Sequence, residues 1–287
     1  MGGELKLVLA EGNGTDANDR LAAAGMGTNA DQYVAAIRLF EPRADIFRVH
    51  PADAAVALPP GAALGDFDGL VIGGSGLFVR RDGNAPDVAR QVDLVRSALE
   101  AGLPVLGSCW GLQVAVIAAG GDVGRSPNGR EVGICRDIVR AGGDPADPFL
   151  AGKPPVYQSL AIHYDEVTQL PPGAKVLAAN DHSPVQAATF EWGGGVFWGV
   201  QYHPEFDFPH MAGLIRSYGS DMVTQKIFAD DAAMNRYCRD LSELAAGDGS
   251  AADDAKARLS ADEVVADPRE RRREIANWLA FCRGRAD

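Results

Sequence analysis

The sequence of 287 residues predicts an α/β fold: a mostly parallel, doubly wound sheet with an antiparallel edge, followed by a C-terminal helical extension. Three observations predict it. Apolar runs alternate with helical patterns early in the chain, later apolar runs follow each other closely, and strand signals end near residue 211. The length suits one domain of about 200 residues with an appendage. We therefore expect a main domain over residues 1–210 and a helical extension over residues 211–287.

Four early segments predict the parallel part of the sheet. They are rich in Val, Leu and Ile with little polar alternation, which is typical of strands buried on both faces. The segments are LKLVLA (5–10), DIFRVH (45–50), GLVIGG (69–74) and PVLG (104–107). Between the last two, a helix begins at Pro86 and ends before Gly102, with Val88, Val92, Val95 and Leu99 on one face. Because a strand, a helix and a second strand in this order are typical of a βαβ unit, the strands should be parallel.

The antiparallel edge is predicted from three closely spaced segments. They are KVLAA (175–179), VQAATF (185–190) and VFWGVQY (196–202). Gly193, Gly194 and Gly195 join the last two segments as in a hairpin. An antiparallel edge on a mostly parallel sheet is a common mixture.

The extension after residue 211 carries helix signals only. Ser260 with Glu263 predicts a capping box, and Asp267 before Pro268 predicts a second helix start. The segment 247–254, GDGSAADD, predicts a flexible joint between helices. One predicted helical face carries Ile275, Trp278, Leu279 and Cys282. We expect the extension to pack on the main domain or on a partner, and we expect deletion of residues 260–287 to destabilise the chain or change its oligomeric state without touching the catalytic residues.

Composition excludes several classes of protein. The 27 basic and 39 acidic residues give a net charge of −12, which disfavours binding to nucleic acid or to an anionic membrane. The basic cluster Arg271–Arg273 predicts the solvated face of a helix. The start of the sequence lacks the features of a secretory signal, and no apolar run is long enough to span a membrane. We expect a cytoplasmic protein.

The four cysteines are scattered, without paired or CxxC spacing. This pattern indicates neither a disulfide framework nor a zinc site, so we expect no metal. No cofactor is predicted either. A reducing compartment fits this cysteine usage.

Residues 105–113, VLGSCWGLQ, place Cys109 on a tight bend between Gly107 and Gly111. A GxCxG segment directly after a strand is typical of a nucleophile elbow, where a strained turn exposes the middle side chain. The helix that follows would favour the thiolate through its N-terminal N–H groups and dipole. The alternative is a small buried apolar residue, as most free cysteines are. The spacing favours a nucleophile.

A cysteine nucleophile needs a base, and two of the five histidines have a carboxylate two residues on. His163 is followed by Asp165, and His203 by Glu205. In an extended chain both side chains lie on one side, so the acid can orient the imidazole. We favour His203 and Glu205 because they directly follow a predicted strand. His163 and Asp165 also fit a turn held by side-chain hydrogen bonds.

The remaining three histidines, His50, His182 and His210, are predicted to be loop residues or to begin the helical tail. An acyl-transfer oxyanion needs N–H donors as well. The backbone of Trp110, next after the nucleophile, offers one donor. The turn GGSG at residues 73–76 offers a second.

Four motifs in order, GGSG, GSCWGLQ, IHYDEV and GVQYHPEFD, resemble those of the class I glutamine amidotransferase domain, in a pattern close to the amidotransferase half of GMP synthases. The resemblance covers roughly residues 5–209 and implies a flavodoxin-like sheet. It implies a triad of Cys109, His203 and Glu205, an oxyanion hole at Gly74 and Trp110, and glutamine contacts at Gln113, His163 and Asp165. The chain departs from the family pattern at Trp110 and in its long, Gly-rich loop 11–31, which we expect to affect access to the site.

Three functions could use such a site. The first is a glutaminase that supplies ammonia to a separate ATP-using synthetase, since the chain has no nucleotide-binding motif of its own. The second is a stand-alone hydrolase of γ-glutamyl amides or peptides, with a pocket open on the amine side. The third is a non-catalytic or stress-related module with Glu11 as the acid, which Trp110 disfavours because it occupies the histidine position of such proteins. The nitrogen acceptor and a homo-oligomer are left open.

Overall fold

A nine-stranded mixed sheet organises the described part of the protein. The structure is a computed structural model and describes residues 3–141 and 147–286. The strands are β1 (Lys6–Ala10), β2 (Asp45–Val49), β3 (Gly69–Ile72), β4 (Pro104–Ser108), β5 (Asp122–Arg125), β6 (Glu131–Arg140), β7 (Val156–His163), β8 (Asp165–Gln169), β9 (Lys175–Ala179), β10 (Ala187–Trp192) and β11 (Gly195–Val200). Strands β5 and β8 form a separate antiparallel pair.

Five neighbouring strands of the large sheet are parallel, in the order β2-β1-β3-β4-β11. The sheet continues through β10, β9, β6 and β7, which pair antiparallel. The predicted fold class is confirmed. The antiparallel part is wider than predicted because β6 and β7 were not assigned from the sequence. The charged residues Glu131, Arg136, Asp137 and Arg140 interrupt the apolar pattern of β6.

Helices cover both faces of the sheet. They are α1 (Thr15–Ala23), α2 (Asn29–Arg38), α3 (Pro86–Glu100), α4 (Trp110–Ala118), α5 (Phe208–Tyr218), α6 (Ser220–Thr224), α7 (Asp231–Leu244), α8 (Ser250–Leu259), α9 (Glu263–Ala266), α10 (Pro268–Arg271) and α11 (Arg273–Ala286). Helices α3 and α4 bury Val95 and Leu112 on one face. Helices α2 and α11 bury Ile37 and Trp278 on the other. In such a doubly wound sheet, the carboxyl ends of the parallel strands form the site edge.

The helices after residue 207 divide between two locations. Helices α5, α7 and α8 form an apolar cluster with Ile134 of β6 and Leu160 of β7. Helix α11 instead returns to the parallel half of the sheet. Its predicted face is buried there, and Trp278 packs so closely on Gly69 of β3 that a Cβ at Gly69 would lie 2.7 Å from the indole ring. The last helix therefore completes the core of the main sheet.

Two local predictions for the extension are wrong. Ser260 does not begin a helix; it ends α8 with a φ of 46°, and Asp262 caps the next helix by accepting from the Val265 N–H at 2.7 Å. The Asp267 start is correct, since its side chain accepts from Arg269 and Glu270. The predicted joint at 247–254 is shorter than expected, because α8 already begins at Ser250.

The prediction of a solvated basic cluster is also wrong. Arg271 and Arg272 are only 3% and 8% exposed, and both donate to backbone carbonyls of the main domain. Burial and the neighbouring Arg272 lower the pKa of Arg271 to about 9, although Asp207 and Asp267 act in the opposite direction. The sequence alone does not show which unpaired backbone carbonyls lie near a run of arginines in the folded chain, so the burial of these side chains could not be predicted.

Replacing Trp278 by Ala tests the structural role of α11. The substitution should lower the free energy of unfolding by about 3–5 kcal/mol, because it removes a fully buried side chain from the sheet face. Urea unfolding measures the loss. Val156→Ala, at a half-exposed position, is the control and should change stability by less than about 0.5 kcal/mol. Equal stabilities of the two variants would contradict this packing.

Candidate active site

Cys109 lies on a strained turn between β4 and α4. Its φ is 49° and its ψ is −100°, a backbone conformation that residues other than glycine rarely adopt. The flanking glycines are required sterically: a Cβ at Gly107 would lie 2.6 Å from the Gly111 carbonyl carbon, and one at Gly111 would lie 2.2 Å from the Ile72 carbonyl oxygen. The sequence GSCWG therefore folds into a nucleophile-elbow geometry, with Cys109 as the N-cap of α4.

His203 and Glu205 follow β11, at the same sheet edge as Cys109. The His203 Nδ1 and Glu205 Oε1 atoms are 2.7 Å apart, and both side chains are buried. Ser108, the residue before Cys109, donates its hydroxyl to the same Glu205 oxygen at 2.8 Å. The Phe206 ring stacks on the imidazole at a centroid distance of 4.0 Å. The carboxylate and the aromatic ring thus hold the imidazole from two sides.

The His203 imidazole lies in a strongly anionic environment. Burial disfavours its charged form, but the carboxylate of Glu205 and the charge and hydrogen bond of Cys109 outweigh burial and raise the pKa of His203 to about 10. A protonated imidazole next to the sulfur stabilises a thiolate. An imidazole next to a cysteine sulfur and backed by a carboxylate is the arrangement that activates a cysteine nucleophile.

His163 and Asp165 lie close to this site but do not form the second histidine–carboxylate pair that the spacing allowed. The His163 Nε2 atom is 2.9 Å from Glu131 Oε2, and Nδ1 contacts the backbone oxygen of Asp165 at 3.1 Å. The Asp165 carboxylate instead pairs with Arg80 at 2.6 Å and with Arg125 at 3.4 Å. The partner of His163 is therefore a carboxylate from β6, more than thirty residues away.

Glu131 holds His163 through a network of hydrogen bonds. Asn180 and Gln186 each donate to its carboxylate at 2.8 Å, and the Cys135 thiol contacts it at 3.0 Å. Burial raises the pKa of Glu131, but the bonds from His163, Cys135 and Asn180 prevail and lower it to about 2. Glu131 is thus an ionised, fixed support behind His163.

The GGSG turn lies directly against the imidazole. A Cβ at Gly74 would be 2.6 Å from His203 Cε1, so only glycine fits there. The Gly74 carbonyl accepts from Asn29 Nδ2 at 2.8 Å, and Asn13 accepts from the Gly76 N–H at 3.2 Å. These bonds fix the turn from which Gly74 was predicted to contribute to an oxyanion hole.

Trp110 directs its side chain away from the site. The indole is fully buried beneath the sheet and donates to Gln91 Oε1 at 2.7 Å, and Gln91 in turn donates to the Gly12 carbonyl at 3.2 Å. Only its backbone, at the first turn of α4, lies next to Cys109. The bulky residue after the nucleophile therefore fills the core and leaves the pocket width unaffected.

A small polar cavity of about 70 Å³ lies on one side of Cys109. Its lining includes the predicted contact residues Gln113, His163 and Asp165. Gln113 donates to the backbone oxygen of Asp165 at 2.9 Å, which ties α4 to β8. Asp165 Oδ1 is buried and accepts no hydrogen bond within the described residues, although Arg125 Nε lies 3.4 Å from it. This oxygen therefore keeps the capacity to accept a hydrogen bond from a group in the cavity.

A larger cavity of about 270 Å³ lies on the other side of Cys109, where His203 and Gly74 line it. The segment 11–31, predicted as a loop, instead carries α1 and the start of α2, and it supplies much of the wall of this cavity through Asn13, Ala17, Arg20, Leu21, Met26 and Asn29. Helix α5 supplies Leu214, Ser217 and Tyr218. The segment that departs from the family pattern therefore lines the cavity next to Cys109.

Arg130 carried no recognisable signal in the sequence, and Tyr164 lay within the IHYDEV motif without an assigned role. Arg130 and Tyr164 line the small cavity, and the Arg130 guanidinium lies 4.5 Å from the centre of the Tyr164 ring. Neither residue belongs to a repeated spacing or a charge pattern. Glu11, considered as an acid, instead accepts from the backbone N–H groups of Asn13 and Ala30 at 3.0 and 2.9 Å. It caps local backbone rather than contacting Cys109.

Metal ligands and membrane-spanning helices are both missing from the described part of the chain. Within residues 3–141 and 147–286, no group of three or more His, Cys, Asp or Glu side chains is placed to hold a metal ion. In the same described ranges, no helix has both the length and the apolar character needed to cross a membrane.

Comparison with known proteins identifies the family. The family model described as glutamine amidotransferase class-I matches residues 35–212, more than half of the chain. The chain belongs to the class I glutamine amidotransferase family, as the four motifs predicted, and it is an enzyme of this amidotransferase and γ-glutamyl hydrolase family. The extension beyond residue 212 lies outside the match.

Two curated relatives differ in the activity that their names state. A γ-glutamyl-L-1-hydroxyisopropylamide hydrolase from a Pseudomonas species is 36% identical over 168 residues, which cover 56% of this chain and 54% of the relative. The chain thus spans about half the length of that hydrolase. A glutamine-hydrolysing GMP synthase subunit from Ignicoccus hospitalis is 34% identical over 151 residues, covering 53% of this chain and 73% of the relative.

A solved structure shows the same fold over the whole length. A glutamine amidotransferase from Thermotoga maritima superposes with a TM-score of 0.60 at 16% identity, covering 98% of this chain and 99% of that one. At this identity the likeness establishes the fold alone.

Titration of His203 tests the electrostatics of the site. In ¹⁵N-histidine NMR, with the resonance assigned through His203→Asn, the imidazole should lose its proton near pH 10. In Cys109→Ala the pKa should fall, because one of the two groups that raise it is gone. His210 is the internal reference, since burial lowers its pKa to about 4. A His203 titration near the ordinary value of about 6.5 would contradict the ion pair.

Proposed function

We propose that this protein hydrolyses γ-glutamyl amides whose leaving amine is larger than ammonia. One observation carries the proposal: the larger cavity opens on the His203 side of Cys109. The group that protonates the leaving nitrogen must lie next to it, so a leaving amine departs on the side of that acid. A space of about 270 Å³ there suits an amine with a substantial substituent.

The proposed reaction uses the three residues in turn. The Cys109 thiolate attacks the γ-carbonyl carbon, and the oxyanion is bound by the N–H groups at Gly74 and Trp110. The imidazolium of His203 donates its proton to the amide nitrogen, the C–N bond breaks, and the amine leaves from a γ-glutamyl thioester. Water then gives a proton to His203 and attacks the thioester. Glutamate is released, and the Cys109 sulfur with the imidazolium is restored.

The small cavity suits the γ-glutamyl group in this proposal. The Arg130 guanidinium can pair with the α-carboxylate of the substrate, and Asp165 Oδ1, which lies 3.4 Å from Arg125 Nε but accepts no hydrogen bond within the described residues, can accept from its α-ammonium group. Gln113 and His163 both contact the backbone oxygen of Asp165 and hold this residue in place. The opposite charges of these two groups match the zwitterionic end of a glutamyl residue.

The larger cavity indicates which amines fit. Its described lining combines apolar side chains such as Leu21, Met26 and Leu214 with the hydroxyls of Ser75 and Ser217. Arg20 is exposed at its border without an ion-pair partner among the described residues, and no carboxylate lines it. A neutral or anionic amine, such as an amino acid, is therefore favoured over a polycation. The curated hydrolase named for an N-substituted γ-glutamyl amide supports this class of substrate.

The second candidate is the one that the sequence favoured, a glutaminase that passes ammonia to a separate ATP-using synthetase. Relatives named as glutamine-hydrolysing GMP synthase subunits support it. Ammonia needs no cavity of this size next to His203, which is why we rank the amide hydrolase first. In either case we propose a cytoplasmic enzyme.

Substrate preference separates the two functions. The purified chain should give a higher kcat/KM for γ-glutamyl-leucine than for glutamine, because only the dipeptide uses the larger cavity. A coupled glutamate assay measures both. Cys109→Ala should abolish both activities, while Cys238→Ala, at a buried cysteine in another cluster, should keep the preference. A clear preference for glutamine would contradict the hydrolase and return the ammonia-supply function to first place.

A further inference from the structure

The segment 271–274, at the junction of α10 and α11, contacts the backbone next to the histidine and the glutamate of the site. Arg271 Nε donates to the Phe206 carbonyl at 3.2 Å, and Arg272 Nη2 donates to the Glu205 carbonyl at 3.3 Å. These carbonyls lie after the end of β11, where no neighbouring strand can pair with them. A buried carbonyl without a partner is costly, so the two arginines complete the hydrogen bonding of this turn.

A second set of buried contacts reaches the residue before His203. The Tyr202 hydroxyl donates to Glu274 Oε1 at 2.5 Å and also contacts the Tyr157 hydroxyl at 2.8 Å. Lys153 pairs with the same glutamate oxygen at 3.0 Å, and both of these charged side chains are fully buried. Loss of either partner of a buried ion pair strongly destabilises the folded protein, because it leaves an unpaired charge in the interior. The Glu274 carboxylate is therefore held in one position by its partners.

These contacts reach three residues of the turn that follows β11. Glu274 holds Tyr202, Arg272 holds the backbone of Glu205, and Arg271 holds that of Phe206, whose ring stacks on His203. The guanidinium of Arg272 also lies in the electrostatic field of Glu205 and Asp207, which counter the fall in its pKa caused by burial. The positions of the imidazole and of its carboxylate partner therefore depend on a segment outside the part of the chain that matches the family.

We propose that Arg271, Arg272 and Glu274 are positioning residues for His203 and Glu205, so that the C-terminal extension is a working part of the active site. The inference rests on the proposed role of His203 in proton transfer. It replaces the sequence-based expectation that deletion of residues 260–287 would not touch the catalytic residues. A small displacement of the imidazole is enough to slow the reaction, since a shift of about 1 Å can cost about 100-fold in rate.

The test compares two neighbouring arginines in the full-length chain. Arg272→Met removes the bond to Glu205. Arg273→Met is the matched control, because Arg273 pairs with Glu270 at the partly exposed surface. Circular dichroism and thermal melts establish that each variant is folded at the assay temperature. Hydrolysis of γ-glutamyl-leucine gives kcat and KM, and iodoacetamide measures the reactivity of the Cys109 thiolate without any need for a bound substrate.

Arg272→Met should lower kcat by about 10- to 100-fold with little change in KM, and it should slow alkylation of Cys109. Arg272→Lys, which keeps a charged donor, should recover much of both. Arg273→Met should match the wild type. Equal kcat and alkylation rates in the two methionine variants would overturn the proposal, as would a loss of activity that only follows the unfolded fraction.

A second variant keeps the test decisive if Arg272→Met does not fold. Tyr202→Phe removes one oxygen atom and the bond to Glu274 while keeping the ring in the core. It should lower kcat and the alkylation rate together, and unchanged values of both would overturn the proposal. Failure of the proposed function is distinguishable, because it would appear as a preference of the wild-type chain for glutamine, and the same comparison of variants would then be made with glutamine hydrolysis and with the rate of Cys109 alkylation.

Discussion

The positive φ of Cys109 is the constraint on which the site depends. A strand that enters a helix through this turn needs room where the backbone crosses itself, and Gly107 and Gly111 provide that room. The geometry holds the sulfur at the sheet edge while the flanking Trp110 is sent into the core. Every other group of the proposed site is placed with respect to this fixed point: the imidazole beside it, the GGSG turn against the imidazole, and one cavity on each side.

Two further parts of the chain surround this framework in our proposal: one shapes the substrate cavity, and the other positions the proton donor. The segment 11–31, which carries α1 and the start of α2, lines the larger cavity, and arginines of the extension donate to carbonyls of the turn that carries His203 and Glu205. The first decides which amine fits in our proposal, and the second decides how well the proton donor is placed. The cysteine turn can stay the same while these surrounding segments change the reaction that it serves.

Much of the fold could be predicted because the parallel strands are buried on both faces. The segments around β1, β3 and β4 are continuous apolar runs, and the hairpin of β10 and β11 is marked by three glycines. Strand β6 was missed because charged side chains interrupt its apolar pattern, and β7 was missed because Gln158 and Ser159 interrupt its apolar pattern. The boundaries of α8 and α9 were misplaced because Ser260 adopts a left-handed conformation at a helix end, where its side chain type predicted a start.

Pairs of site residues could be predicted from the sequence where the two residues are close in the chain. They could not be predicted where the two residues are far apart. Cys109 between two glycines and His203 two residues before Glu205 are local patterns. The partner of His163, Glu131, comes from another strand, and Arg272, which donates to the Glu205 carbonyl, comes from the far end of the chain. Such contacts depend on the folded topology, so spacing cannot reveal them. The burial of Arg271 and Arg272 is the clearest case.

The central claim, that Cys109 forms a γ-glutamyl thioester during turnover, is tested most directly by trapping the intermediate. Acid quenching of the protein during γ-glutamyl-leucine hydrolysis, followed by intact-mass spectrometry and peptide mapping, would locate any covalent adduct. We predict a γ-glutamyl adduct on the peptide that contains Cys109, formed before glutamate is released and absent from Cys109→Ala. Turnover with no adduct under conditions that trap the Cys109 thioester of an established cysteine amidase, or an adduct on another cysteine, would contradict the account.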